Sequence, residues 1–210
     1  MKRLAIFGAS GHGKVVADTA ESIGWESVVF FDDAWPSVEQ NSIWPIEGNA
    51  EVLFAKLEQF SGVIVAIGDN RIRQTKIRDL IKLNARLVTL VHPAATVSRY
   101  ATIGTGSVVF AGAIVGAGAR IGEGAILNTA CSIDHDCVLG DAVHISPGAH
   151  LAGGVTVGDL SWIGIGACIK QQIKISDDVV VGAGAAVVKD ISAGQMVVGV
   201  PAVLMNRRSD

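Results

Sequence analysis

From Val97 to Ser192 the chain repeats every six residues without a slip. The first place of each of sixteen hexads is a branched aliphatic, running from Val97, Ile103 and Val109 through Ile133, Leu139 and Ile145 to Val181 and Val187. Four residues on, the series Ala101, Ser107, Ala113 through Cys131, Cys137, Val143 to Ala185 and Ile191 is small or aliphatic throughout. Helix and flat sheet have periods of about 3.6 and 2, so neither generates this pattern. A hexapeptide period is that of a parallel β-helix, in which each hexad is a short strand plus a turn and three hexads close one triangular coil. Sixteen hexads give about five coils, with the aliphatics along the prism axis. Glycine at the second place (Gly104, Gly116, Gly122, Gly140, Gly158, Gly164, Gly182) is expected at corners where the backbone takes conformations costly to a Cβ. A β-sandwich would alternate with period 2 in irregularly spaced runs, and this chain does not.

Residues 1–92 have a different character, and the change falls at His92-Pro93. The expected architecture is therefore a Rossmann-like α/β domain over 1–92 followed by a left-handed parallel β-helix with a tail over 93–210. Half of the residues are apolar, yet no uninterrupted apolar run approaches the ~18 of a membrane span. Met1-Lys2-Arg3-Leu4 leads into a strand and not into a signal sequence, so a cytoplasmic protein without membrane insertion is expected. A net charge of −3 with no long basic run argues against nucleic acid as a partner. Cys131 and Cys137 occupy successive fifth places of the hexad, where they pack as small hydrophobes.

In the first domain a buried strand, Lys2 to Phe7, breaks into Gly8-Ala9-Ser10-Gly11-His12-Gly13 before a helix from about Lys14 to Ser22. Backbone N–H groups at such a loop and helix start form a cradle for phosphate. The spacing G-x-x-G-x-G differs from the dinucleotide fingerprint, which argues against NAD. Further strands, Ser27 to Phe31 and Val63 to Ile67, end in Asp32-Asp33 and Gly68-Asp69-Asn70. In an open parallel sheet these ends converge on one crevice, where ligands bind. A helix Ile72 to Leu83, opened by Arg71 and Arg73, and a fourth strand Leu87 to Val91 complete the domain. The loop Ala34 to Gly48, rich in Trp and Pro, reads as its least constrained part.

The β-helix carries one constellation that suits proton transfer. Asp134-His135-Asp136 places an imidazole between two carboxylates on an outward corner. One coil is eighteen residues, so the neighbours of His135 below and above are Ala117 and Gly153, both tiny. A carboxylate beside histidine fixes its tautomer and supports a general base near neutral pH; the competing reading is a merely solvated histidine. His144 and His150 fall on adjacent faces and cannot converge within one chain, which disfavours zinc. Outward apolar residues such as Phe110, Ile114 and Ile126 are expected to be covered in a closed trimer.

The motifs GASGHG, FFDD, AIGDNRIR, LVHPAATVS, NTACSIDHDC, HISPGAHLAGGVTVG and VVGVPA together resemble the bacterial nucleotide-sugar acetyltransferases of the PglD/NeuD group, over essentially the whole chain. Within the group the likeness points to the UDP-4-amino-sugar N-acetyltransferases of the bacillosamine pathway. The resemblance implies a UDP-sugar on the first domain, acetyl-CoA as cosubstrate on the β-helix, no metal, and a homotrimer with active sites between subunits. It puts the base on His135 and the acid that raises its basicity on Asp136. Nucleotide-sugar contacts fall on Ser10, Gly11, His12, Asp32, Asp33 and Gly68, and acetyl-CoA contacts on His144, Ile165 and Ala183. Ile165 and Ala183 are eighteen apart, so the period independently stacks them one coil apart on one face. Lys189 and the tail pair Arg207-Arg208 are candidates for the CoA 3′-phosphate. The alternatives are an O-acetyltransferase of a sialic-acid-like sugar and a non-catalytic nucleotide-sugar-binding trimer.

Overall fold

The computed structural model describes residues 2–205, so Arg207 and Arg208 lie outside the described residues. The chain divides into two units, Met1–Pro93 with Thr105–Val108, and Ala94–Gly104 with Val109–Asp210.

In the first unit, Arg3–Phe7 lies between Ser27–Phe31 and Gly62–Val65 in a parallel three-stranded sheet. Its apolar core joins Phe7, Phe31, Val63 and Val65 to Leu53, Ile77 and Leu80 from the covering helices. The first helix is Gly11–Ser22, so the second half of the glycine loop is already its first turn and not a preceding loop. Gly13 permits this, because a Cβ there would stand 2.5 Å from the Gly8 carbonyl oxygen and 2.9 Å from Phe30. The expected fourth strand is split. Leu87 makes only an isolated bridge to Val63, and Leu90–Val91 forms a separate short strand whose Leu90 N–H donates to the Ser107 carbonyl. Nor is the segment 34–48 loose: it holds a hairpin, Gln40–Asn41 with Trp44–Pro45, and Ile46 bridges to Phe30. The buried Asn41 amide donates to the Ser10 carbonyl at 3.1 Å, tying this hairpin to the glycine loop.

The second unit is a left-handed parallel β-helix with three walls. The first wall has six strands from Thr96–Val97 to Ala186–Val187, and the second has five from Thr102–Ile103 to Lys174–Ile175. The third wall includes Ile126–Leu127, His144–Ile145, Trp162–Ile163, Val180–Val181 and Met196–Val198. All first-place aliphatics from Val109 to Val187 are buried along the axis, whereas Val97 and Ile103 at the open first coil are half-buried. Cys131 and Cys137 are fully buried, and burial pushes the Cys131 thiol up to about 12.

The corner glycines act differently from expectation. Positive φ occurs at the fourth place of every hexad from Gly106 to Gly184, and is taken there even by Ala130, Asp136 and Leu160. The second-place glycines are needed because coils stack closely: a Cβ on Gly104 would stand 2.5 Å from the Gly122 backbone, and one on Gly164 2.5 Å from the Val181 carbonyl oxygen. Phe110 and Ile126 are also corrections, since both are 1 % exposed within the single chain. Ile126 pairs in register with the buried His144, and only Ile114, at 49 %, is left in water.

Candidate active site

The three parallel strands of the first unit end along one edge of their sheet. Gly8 follows the first strand with φ of 111°, and its N–H donates to the Phe31 carbonyl. The first helix has Ser10 at its N-cap with no side-chain cap and no acid in its first turn. Backbone donors of Gly11 and His12 are therefore presented at the positive end of a helix dipole, which suits an anion. The helix Asn70–Lys82 differs, because the Asp69 carboxylate caps it by accepting from Ile72 N–H. Gly8 and Gly13 have packing reasons to lack a Cβ, but Gly11 and Gly68 face open space. A Cβ at either of these two positions would meet no heavy atom within 4 Å, so packing does not require glycine there.

The polar residues along this edge divide by role. Asp32 accepts from Ala9 N–H at 2.7 Å through one oxygen and from Ala34 N–H at 2.9 Å through the other, so it shapes the glycine loop. Asp33 is exposed and meets Lys76 at 3.4 Å. Arg73, 1 % exposed, donates to the carbonyls of Ile67 and Gly68 and to Asn70 Oδ1, fixing the Gly68 turn from beneath. Burial, and then the Arg73 charge, hold His12 down at about 4. His12 is thus a neutral hydrogen-bonding group near pH 7. Sequence reasoning missed Arg73 and Asn41 as organisers of this loop; both are polar residues whose burial no local pattern announces.

On the β-helix, His135 and Asp136 stand at the corner between the first and second walls. His135 Nδ1 lies 2.9 Å from Asp136 Oδ2, and both side chains are about 70 % exposed, at 71 % and 73 %. An ionised carboxylate can only accept, so it pairs with the tautomer whose Nδ1–H donates to it, and in that tautomer Nε2 keeps its lone pair. Each side chain rests on a glycine of a neighbouring coil. A Cβ on Gly153 would stand 2.5 Å from His135 Nε2, and one on Gly118 2.6 Å from Asp136 Oδ1. Asp136 takes φ of 60°, in the left-handed region that Asp tolerates better than most residues.

A groove of about 390 Å³ runs along the third wall and the corner that follows it, and it gathers His144, Ile165 and Ala183. Gly184 N–H donates to the Ile165 carbonyl, so the last two are stacked rungs. His144 lies parallel to Trp162, with ring centroids 5.2 Å apart and planes at 13°. Asn128 Nδ2 stands 3.2 Å from His144 Nε2, and Trp162 Nε1 donates to Ser146 Oγ at 2.7 Å. Trp162, Ser146 and Val180 were not singled out from sequence, although Trp162 and Val180 are one and two coils above His144 and the eighteen-residue period would have found them. His150 lies on the first wall, paired with Ser132 Oγ at 2.8 Å, and not with His144. Among the described residues no group of three His, Cys, Asp or Glu is placed to hold a metal ion.

Residues 3–80 match the PglD N-terminal domain model. The acetyltransferase domain of PglB from Neisseria gonorrhoeae FA1090, solved in complex with acetyl coenzyme A, is 45 % identical; the match covers 97 % of this chain and 99 % of that one, with a TM-score of 0.93. PerB from Caulobacter crescentus, solved in complex with CoA and GDP-perosamine, is 38 % identical over 98 % of both chains, with a TM-score of 0.92. The chain belongs to the PglD-type family of bacterial nucleotide-sugar acetyltransferases. A further relative, the UDP-N-acetylbacillosamine N-acetyltransferase of Bacillus subtilis (strain 168), is 35 % identical over 110 residues, half of each sequence.

Proposed function

We propose that this enzyme transfers acetyl from acetyl-CoA to the C4 amine of a UDP-linked 4-amino-4,6-dideoxy sugar of the bacillosamine type, in the cytoplasm. His135 is the general base, and no acyl-enzyme forms. The neutral amine attacks the thioester carbonyl, the C–N bond forms, and His135 Nε2 takes the proton that nitrogen sheds. The tetrahedral oxyanion rests on a backbone N–H or water. The C–S bond then breaks, and sulfur leaves as thiolate. Asp136 holds the Nδ1 proton and stabilises the imidazolium. Ser10, Gly11, His12, Asp33 and Gly68 contact the nucleotide sugar, while Asp32 acts by holding the loop. His144, Ile165 and Ala183 contact acetyl-CoA, with Trp162 beneath it.

One observation carries this reading and its assembly. The His135–Asp136 pair sits at the corner between the first and second walls, whereas the groove follows the third wall and the corner after it. A thioester in the groove therefore meets a His135 only from a neighbouring copy, which a closed three-fold ring supplies. The outward residues of the first wall, Thr96, Ile114, Ser132, His150, Cys168 and Ala186, include no Lys, Arg, Asp or Glu, whereas the second wall presents Arg120 and Lys174. The uncharged first wall suits a subunit contact.

The test is acetyl-CoA turnover, followed as free thiol, against UDP- and GDP-linked 4-amino sugars and free sialic acid. Preferential turnover of a UDP-4-amino sugar supports the proposal. Turnover with the GDP sugar alone moves the carrier, turnover with sialic acid makes it an O-acetyltransferase, and none with any acceptor makes it a binding protein.

A further inference from the structure

The corner that carries His135 is a column of residue pairs, one pair from each coil. Upward from the N-terminal coil its first four pairs are Arg99-Tyr100, Ala117-Gly118, His135-Asp136 and Gly153-Gly154. Backbone bonds hold the stack: Gly118 N–H donates to the Tyr100 carbonyl at 3.3 Å, Asp136 N–H to Ala117 at 3.0 Å, and Gly154 N–H to His135 at 2.9 Å. Only the Ala117-Gly118 pair separates the base from Tyr100, and its side chains amount to one methyl group. A Cβ on Gly118 would stand 2.6 Å from Asp136 Oδ1, so the carboxylate forms the upper limit of this shelf. Tyr100, the single tyrosine of the chain and 73 % exposed, forms the lower one. Two inter-strand steps, roughly 10 Å, lie between the Asp136 and Tyr100 backbones.

The groove along the third wall begins at His144, in the same coil as His135, and continues through Trp162 and Ile165 to Val180 and Ala183 in the two coils above. In a three-fold ring whose axis runs along the prism, neighbouring copies stand at equal height, so this order carries over from one copy to the next. The cosubstrate therefore takes the C-terminal side of the base, and the acceptor is left the N-terminal side, where the Ala117-Gly118 shelf is open. We infer that Tyr100 is a specificity-determining residue for the acceptor, its ring packing against the C6 methyl of a 4-amino-4,6-dideoxy sugar that lies on this shelf. The inference rests on the proposed function. C6 is attached to C5, the ring carbon next to the C4 that bears the amine, so an amine held at His135 keeps the methyl close to the same corner. The missing side chain at Gly118 leaves the space between carboxylate and phenol to the sugar ring. A methyl gains by leaving water for an aromatic face, whereas a 6-hydroxyl in its place would be stripped of water against a surface that offers its oxygen no partner.

Steady-state kinetics of the full-length protein with the UDP-linked 4-amino-4,6-dideoxy sugar and its 6-hydroxy counterpart test this. The wild type is expected to favour the 6-deoxy acceptor by about tenfold or more in kcat/KM, the discrimination a single methyl-sized group supports. Tyr100→Ala should raise KM for the 6-deoxy acceptor about tenfold and erase the preference, with KM for acetyl-CoA and the trimer mass unchanged. Tyr100→Phe should keep both affinity and preference, since the ring remains. No preference in the wild type, a preference that survives Tyr100→Ala, or an equal rise in both KM values overturns the assignment. A fall in trimer mass makes Tyr100 a subunit contact and overturns it as well. Calorimetric titration of the two sugar nucleotides without acetyl-CoA reads the same preference without turnover. A protein that binds them in this Tyr100-dependent way but transfers no acetyl contradicts the proposed function and leaves the Tyr100 contact standing.

Discussion

The imidazole of His135 lies over Gly153 in the next coil, so close that a Cβ there would stand 2.5 Å from Nε2. The ring occupies the space that the missing side chain leaves, and the turn opposite Asp136 is emptied in the same way by Gly118. Gly153→Ala is therefore expected to push the ring aside and lower kcat on the order of 10²-fold, as a displacement of about 1 Å does in a positioned site. Acetyl-CoA affinity should be kept, since Gly153 does not line the groove. Steady-state kinetics beside a calorimetric titration separate the two effects, and an unchanged kcat would mean that the ring position is unimportant.

His135→Ala should reduce kcat by roughly 10²–10⁴-fold with little change in acetyl-CoA binding, and Asp136→Asn should lose less because the ring remains. Near-normal turnover of the His135 variant at neutral pH would assign proton transfer elsewhere.

The glycine loop offers a contrast between neighbours. Gly11 has open space around it, so Gly11→Val should change stability by no more than about 0.5 kcal/mol while raising KM for the nucleotide sugar and sparing that for acetyl-CoA. Gly13→Val should instead destabilise the unit by about 1–3 kcal/mol, because its Cβ meets Gly8 and Phe30. Denaturant midpoints and the two KM values, measured together, distinguish a binding glycine from a packing one.

His12 gives a pH signature. Its folded value of about 4 lies below the ordinary 6.5, so between these limits the unfolded chain binds more protons. Stability then rises with pH through that window and is lost as pH falls from 6.5 toward 4. His12→Gln should flatten this part of the thermal-midpoint profile. An unaltered slope would show that His12 is not held neutral.

Much of this was legible because a hexad period fixes neighbours by arithmetic: eighteen residues link His135 to Gly153 and Ile165 to Ala183. The same arithmetic did not show which place in the hexad turns left-handed, because Ala130, Asp136 and Leu160 take that conformation without being glycine. Second-place glycine reflects coil-to-coil contact, a tertiary property with no local signal. The burial of Phe110 and Ile126, the clamp of Arg73 under Gly68 and the Asn41 bond to Ser10 were hidden for the same reason. Each joins segments whose proximity only the folded chain defines.

The most direct measurement mixes two defective chains. His135→Ala lacks the base, and Ala183→Trp fills the groove, so each alone should be nearly inactive. If the site joins His135 of one copy to the groove of the next, coexpressed chains restore both parts at some interfaces, about a quarter of them for random assembly in a three-fold ring. Acetyl-CoA turnover of the mixed protein should therefore recover to roughly a quarter of the wild-type rate. A mixture no more active than its two components would place the base and the groove within a single chain.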